Sequence, residues 1–445
     1  MKGNYLIIKA LFTVLATFQI SYGQTNKLRS EINPALKNYI NKPDKSLDWK
    51  DYKQSKTTEG NYYEINLTSQ TWQEIPWQHR LIVYFPKHAK YPGTMMVNLM
   101  HGHLYVRDHA LTSLKIISDS TGTPAAMLYD IPNQPLFNGK EEDDLQAFTF
   151  SQYIKTGDES WPLLFPMVKS VVRAMDVVQL LAPKESESAV NDFVVAGHSK
   201  RGHTTWLTAA IDNRVKGIIP IAIDILNSSV QLPHHLETFG EYSTPSKAAG
   251  DFLQELKQPL GQTLIQMVDP YTYRDQLTIP KLIVSATNDD FFTTDALNLY
   301  WDGLKAPKSM LYLPNANHVM AYSDSRINQT AFAFIRAIAG HKNLPTLSWQ
   351  YIKHKNSIVL KINADSPATK ASLWTAVSKN KDFRQARWSS QPMETKNVSE
   401  FHKEYLIEVP LPASGYLAIF GEIAFLKDGH TFRLSTQTKI SSGKE

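Results

Sequence analysis

Apolar positions change their spacing along the chain. Between about 76 and 340, short runs rich in Val, Ile and Leu alternate with longer stretches of helical period. That is the pattern of an α/β domain, a parallel sheet with helices on its faces. Strands are expected at 81–85, 94–100, 125–130, 193–196, 218–223, 282–286 and 310–313, and helices at 108–118, 162–181, 200–211, 294–304 and 321–339. The connection from about 226 to 278 is too long for an ordinary strand-to-helix loop and reads as an inserted cap. After 340, β-like runs at 349–362, 370–377, 404–409, 416–425 and 431–438 are separated by Asn, Asp, Pro, Ser and Gly. They predict a β-sandwich over 341–445, either a packing partner or a surface for substrate. Residues 24–75 are polar and mixed and are expected to wrap the main domain.

The first 23 residues follow another rule. Lys2 starts a short positive segment, 6–20 is mostly apolar, and Ser21-Tyr22-Gly23 precedes Gln24. This predicts an export signal cleaved after Gly23 and a periplasmic or secreted product. Lys9 interrupts the run and argues against a retained anchor. No later stretch approaches the roughly 18–20 apolar residues of a membrane span. The 445 residues include no cysteine, which excludes disulfides, thiolate nucleophiles, thiolate metal sites and a lipid-modified N-terminal cysteine. A formal charge of +5 on so long a chain gives no footprint for nucleic acid.

The sharpest chemical signal is Phe193-Val194-Val195-Ala196-Gly197-His198-Ser199-Lys200-Arg201-Gly202. An apolar strand enters a tight turn with serine at its tip, and a helical pattern follows. A nucleophilic serine needs such a strained turn, with small neighbours that let strand and helix approach. Here the pattern is G-x-S-x-x-G, with Arg201 where a second glycine usually stands. The competing reading of Ser199 is an ordinary helix N-cap. A triad on this scaffold needs an acid after a later strand and a histidine after the last one. Asp289 or its neighbour Asp290 supplies the first, with Asp289 favoured, and His318 supplies the second. His318 would take the Ser199 proton while the carboxylate holds the imidazole tautomer.

Oxyanion donors are expected from the backbone N–H of Lys200 and from the loop His101-Gly102-His103-Leu104, with His103 the nominee. The His101/His103 pair also fits metal ligation, but no carboxylate cluster adjoins it, so no metal is assigned. No pattern calls for a cofactor. Lys200 and Arg201 fit either an acidic substrate or a solvated helix start, and Arg201 and His101 are carried as substrate-binding candidates. Lys169, Arg173 and Asp176 share one helix face and read as a charge network. Glu142 and Asp143 suit either the rim of the site or a helix N-terminus. Trp161, Trp206, Phe291 and Phe292 are expected in the core, with a substrate platform as the alternative.

Several blocks together resemble the PhoPQ-activated pathogenicity-related protein family, a branch of the α/β-hydrolases. They are Pro132-Asn133-Gln134-Pro135-Leu136, Glu142-Asp143, Trp161-Pro162, Pro166-Met167-Val168-Lys169 and Arg173-Ala174-Met175-Asp176. Gly197 to Gly202 with Thr204-Thr205-Trp206 continue the match, as do Ile223-Asp224, Leu226-Asn227 and Asp269-Pro270-Tyr271. Asn288-Asp289, Phe291-Phe292, Pro314-Asn315, His318 and Asp382-Phe383-Arg384 complete it. The resemblance implies an exported α/β-hydrolase of undefined substrate, linked to virulence and antimicrobial-peptide resistance. It also implies Lys and Arg after the serine as a family trait. Three positions depart from the family's habit. Relatives tend to carry Gly-Gly-Ser-Asn where this chain has His101-Gly102-His103-Leu104, and Ala and Trp where it has His198 and His203.

Two functions follow. One is a serine hydrolase cleaving an ester or peptide through an acyl-enzyme. The other is a secreted binding or signalling protein on a catalytically degenerate hydrolase scaffold.

Overall fold

The computed structural model describes residues 33–49, 52–102, 107–185, 189–241, 252–319, 324–397 and 403–443. The leader at 1–23 and His103 lie outside them. Strands β1 (Tyr52–Lys56), β2 (Gly60–Trp72), β3 (Ile75–Pro86), β4 (Thr94–Leu99), β5 (Ala125–Leu128), β6 (Asp192–His198), β7 (Val215–Ile221), β8 (Lys281–Ala286) and β9 (Lys308–Leu313) share one sheet. Their order is β1-β2-β3-β5-β4-β6-β7-β8-β9. The first three form an antiparallel meander, and β3 also runs antiparallel to β5. From β5 across to β9 every neighbour is parallel.

Parallel neighbours need crossovers, and helices supply them. In chain order these are α1 (Ala35–Asn41), α2 (Arg107–Thr121), α3 (Glu142–Thr156), α4 (Leu164–Glu185), α5 (Lys200–Ile211), α6 (Ser228–Phe239), α7 (Phe252–Glu255), α8 (Pro259–Val268) and α9 (Ser325–Ala339). The period of two along each strand divides its apolar side chains between two cores. Val195 joins Met175 of α4 and Leu207 of α5 on one face. Val194 and Ala196 join Leu114 of α2 and Phe334 of α9 on the other. Each such side chain contributes roughly 1.5–3 kcal/mol when fully buried.

Short strands β1, β13, β14 and β18 were not expected, and three longer elements also differ from the sequence pattern. Gly60–Trp72 is a full strand of the sheet, although its polar composition hides it. Its buried Gln70 donates to Pro166 O at 2.8 Å, and its Ser69 hydroxyl pairs with His79 Nε2 at 2.9 Å. The helix expected at 294–304 is instead two 3₁₀ turns, Ala296–Leu299 and Trp301–Gly303. Several carbonyls there accept from side chains. Gln231 donates to Ala296 O, Asn227 to Leu299 O, and Lys308 to Trp301 O and Leu304 O. Helix α3 was not among the expected helices, although the helix N-terminus offered for Glu142 and Asp143 is where it begins.

The long connection between β7 and β8 holds α6, α7 and α8. Buried Asp269, just after α8, accepts from the backbone N–H groups of Asn227, Ser228 and Tyr271, which ties the two ends of this segment together. Beyond α9 come β10 (Leu347–Lys353), β11 (Ser357–Ala364), β12 (Lys370–Ser378), β13 (Ser389–Pro392), β14 (Glu394–Asn397), β15 (Lys403–Pro410), β16 (Tyr416–Lys427), β17 (His430–Ser435) and β18 (Lys439–Ser442). They make two antiparallel sheets, β10-β11-β15-β14 and β13-β12-β16-β17, with β18 on β16. The expected 349–362 run is thus a hairpin of β10 and β11. The two sheets meet at Gly421 of β16, where an added Cβ would lie 2.2 Å from Ile362 Cδ1 of β11. No helix among the described residues is long and apolar enough to cross a membrane.

Candidate active site

Ser199 sits between β6 and α5 with φ 53° and ψ −125°, a strained conformation that a non-glycine residue adopts only when its surroundings hold it there. They do so on both sides: Ser199 N–H donates to Ile221 O at 2.8 Å, and His203 N–H donates to Ser199 O at 3.0 Å. The turn also explains the unusual glycine spacing. A Cβ on Gly197 would lie 2.5 Å from the backbone of Arg201, and one on Gly202 would lie 2.8 Å from Gly197 O. The second close approach therefore falls at Gly202, which leaves position 201 able to carry a side chain.

Ser199 Oγ lies 3.0 Å from His318 Nε2. His318 Nδ1 lies 2.9 and 3.1 Å from the two carboxylate oxygens of Asp289. Asp289 is buried, and its Oδ1 accepts from the N–H groups of Phe291 and Phe292 at 2.7 and 3.2 Å. The adjacent Asp290 is exposed, and burial together with the Asp289 charge raises its carboxyl above the ordinary value. Of the two candidate acids, the structure brings Asp289 to the histidine. His318 stacks on Phe291 with centroids 4.1 Å apart, and its carbonyl accepts from His198 Nε2–H at 2.8 Å. Burial pushes the His198 imidazole down to about 3, so His198 is neutral and its proton is on Nε2 for this bond. Such an arrangement can transfer the serine proton to the imidazole while the carboxylate orients the ring.

Lys200 and Arg201 sit elsewhere than either sequence reading had them. Both are buried. Arg201 donates to the two Glu142 carboxylate oxygens at 2.8 and 2.9 Å, and Lys200 Nζ reaches Asp143 at 2.5 Å and Glu142 at 3.3 Å. Burial alone would raise the Glu142 carboxyl, but Arg201 and Lys200 more than offset it and hold it at about 2. Arg201 is therefore held in an ion pair, and it is not among the residues that line the cavity. Lys200, at the first position of α5, does border the cavity beside Ser199. His101 is exposed on the loop after β4, next to Gly102 at φ 57°. His103, the nominee for second oxyanion donor, lies outside the described residues.

A cavity of about 190 Å³ adjoins Ser199. Its wall combines Phe150 of α3, Leu232 of α6, Leu264 and Ile265 of α8, and the aromatic pair Phe291 and Phe292. Both phenylalanines donate backbone N–H groups to Asp289, and Phe292 packs against the core as well as bordering the cavity. Trp206 and Trp161 do pack in the apolar interior. Asp224, also in the wall, accepts from Ser285 at 2.8 Å and from the Tyr300 hydroxyl. Burial, partly offset by those donors, raises its carboxyl to about 6. Lys169, Arg173 and Asp176 stand away from the site in a charge network: Arg173 meets Asp176 at 3.0 Å, Asp176 meets Arg214 at 2.8 Å, and Lys169 donates to Lys42 O. No group of three or more His, Asp or Glu side chains among the described residues is arranged to hold a metal.

Sequence reasoning missed two asparagines in the loops that carry Asp289 and His318. Asn288 donates to Phe383 O, Arg384 O and Ala386 O at 3.1, 3.2 and 2.6 Å. Asn315 exchanges two bonds with the Trp388 backbone, at 2.9 and 2.8 Å. Both stood in the blocks that carry the family resemblance, but spacing alone could not name partners seventy or more residues away.

The strand order and the strained serine turn between β6 and α5 define an α/β-hydrolase fold. The chain belongs to the family described as PhoPQ-activated pathogenicity-related protein, which it matches over residues 36–384. It is 32% identical over 447 residues to Autocrine proliferation repressor protein A of Dictyostelium discoideum, covering 91% of this chain and 90% of that one. Among solved structures it is similar to acetyl xylan esterase 1 from Thermoanaerobacterium sp. JW/SL YS485, at 13% identity and TM-score 0.45, covering 70% of this chain and 98% of that one. It is also similar to an acetyl xylan esterase from Paenibacillus sp. R4, at 16% identity and TM-score 0.46, covering 64% and 86%.

Proposed function

We propose that the protein is an exported serine hydrolase that cleaves its substrate through an acyl-enzyme. The observation that carries this is the unbroken chain Ser199 Oγ, His318 Nε2, His318 Nδ1 and Asp289, at the edge of a cavity. Ser199 attacks the acyl carbon as His318 takes its proton. His318 then returns the proton to the leaving group, and a water repeats the sequence to free the enzyme. Asp289 holds the ring and stabilises the imidazolium. The backbone N–H of Lys200, at the positive end of α5, and that of His103 receive the oxyanion. Export rests on the 1–23 pattern. In this reading 76–340 is the hydrolase domain, 226–278 its cap, and 341–445 a β-sandwich domain. The substrate is an ester or a peptide.

The name of the Dictyostelium relative supports a second reading, a secreted signalling protein on the same scaffold. One experiment separates the two. A fluorophosphonate probe is expected to label the wild-type protein and to fail on Ser199→Ala and His318→Ala, all three shown folded by circular dichroism. A folded wild type that takes no label ends the hydrolase reading and leaves the signalling one.

A further inference from the structure

The cavity beside Ser199 has a composition that selects among acyl groups. Its volume, about 190 Å³, is modest: an apolar cavity of about 150 Å³ suffices for benzene. The aliphatic and aromatic wall from α3, α6, α8 and the 291–292 pair covers one ring or a short chain, and a long acyl tail would run beyond it. Charge in the wall is already answered. Lys200 is held by Asp143 and Glu142, and Asp224 by Tyr300 and Ser285. Burial pushes the His203 and His235 imidazoles down to about 4, so both are neutral at pH 7. His203 is occupied as well, donating Nε2–H to Val268 O at 2.6 Å.

Two wall residues break this pattern of satisfied polarity. His235, on the cap helix α6, and Thr293, four residues past Asp289, are 8% and 5% exposed. His235 Nε2 and Thr293 Oγ1 are buried with no hydrogen-bond partner. Buried polar atoms are rarely left so, because each forfeits its hydration without recompense. The two belong to elements that touch: Gln231 and His234 of α6 bond to Ala296 O and Asp295, just beyond Thr293. Cap and acid loop thus each bring to the lining of the same cavity one residue with an unanswered, uncharged polar atom.

We propose that this cavity is the acyl pocket for an uncharged acyl group of about one ring in size, bearing a single hydroxyl or carbonyl that His235 and Thr293 recognise. The inference rests on the serine-hydrolase reading and narrows it to esters of small, neutral acids. A carboxylate-bearing acyl group finds no free cation in the described wall. An acyl group without the polar tip leaves the His235 and Thr293 atoms unpaired, and a site built for a hydrogen bond rejects the analogue that lacks it.

The test uses p-nitrophenyl esters and the full chain. Wild type is expected to cleave the 4-hydroxyphenylacetate at least about tenfold faster, in kcat/KM, than the isosteric 4-methylphenylacetate. It is expected to discriminate as strongly against the dodecanoate and the anionic hemisuccinate. In the doubly substituted His235→Phe, Thr293→Val protein, with its fold checked by circular dichroism, the hydroxyl-to-methyl ratio is expected to fall within about twofold of one. Equal rates on the matched pair in wild type, a preference that survives the double substitution, or ready cleavage of the hemisuccinate would overturn the proposal. Fluorophosphonate labelling run in parallel separates the two failures. Labelled Ser199 with an indifferent ratio, or with no turnover of any of these esters, ends the specificity alone. No label and no turnover end the hydrolase reading, and the substrate proposal with it.

Discussion

At the scale of single residues, the site turns on which of two adjacent aspartates faces the histidine. Asp289 is 4% exposed and accepts from two backbone N–H groups as well as from His318. Asp290 points to solvent. Replacing Asp289 by Asn keeps the shape but inverts one hydrogen bond, which stabilises the wrong imidazole tautomer. The expected outcome is a fall in kcat of about 10⁴-fold for Asp289→Asn and a change within about threefold for Asp290→Asn, where only a screened surface charge is lost. Ester hydrolysis under saturating substrate measures both, and comparable losses from the two would reassign the acid. Much of this site was legible beforehand. Gly197 and Gly202 mark close backbone approaches that any residue with a Cβ would obstruct, so their spacing around Ser199 reported real geometry. Lys200 and Arg201 were not legible, because their meaning depends on Glu142 and Asp143, which only the fold brings near.

At the scale of elements, that pairing fastens α3 to the serine turn. Helix α3 has little apolar periodicity, which is why the sequence pattern passed over it, and its first turn carries Glu142, Asp143 and Asp144. Two of these carboxylates hold the two cations that open α5, and Gln134 fixes Glu142 from behind through both its backbone N–H and its side chain. Removing the Glu142 charge leaves Arg201 buried and half-answered. Glu142→Gln is expected to cost more than the roughly 0.5 kcal/mol of an exposed pair and less than the ~3–5 kcal/mol of a fully buried one. The pH dependence has a definite sign. The Glu142 carboxyl is held at about 2, below its ordinary 4.5, so its contribution is present above pH 4.5 and is lost as pH falls toward 2. Melting temperatures of wild type and Glu142→Gln should therefore differ at pH 6, draw together below pH 4.5 and converge only near pH 2. A gap that persists in acid would mean that packing, and not charge, is what Glu142 supplies. The missed strand and the overturned helix teach a related lesson. β2 buries Ser69 and Gln70 against partners from β3 and α4, and 294–304 gives its carbonyls to Gln231, Asn227 and Lys308. In both cases tertiary hydrogen bonds override local preference.

At the scale of the whole molecule, the C-terminal sheets are joined to the chemistry and not merely stacked beside it. The segment at 383–388, between β12 and β13, receives the Asn288 amide on three carbonyls and exchanges two bonds between Trp388 and Asn315. Asn288 immediately precedes Asp289, and Asn315 lies three residues before His318. The loop between β12 and β13 also reaches α6: Lys381 meets Glu237 at 2.8 Å, and Arg384 lies over the Phe239 ring at 4.0 Å. It thus holds the segments that carry Asp289 and His318 and touches α6 as well. Sequence periodicity placed the longer strands of this region, missed the short β13, β14 and β18, and offered it only the roles of spacer or binding surface, since these bonds are made by its loop. Asn288→Ala and Asn315→Ala are each expected to lower stability by about 1–3 kcal/mol, the cost of leaving buried carbonyls or N–H groups unpaired. Were the C-terminal sheets only a spacer, the loss would end there. Because the triad loops lose their brace, kcat is also expected to fall by about tenfold or more at temperatures well below melting, as small displacements of catalytic groups do. Lys427→Ala, at an exposed end of β16, should change neither quantity. A stability loss with unchanged kcat in both asparagine variants would return the C-terminal region to the role of a packing partner.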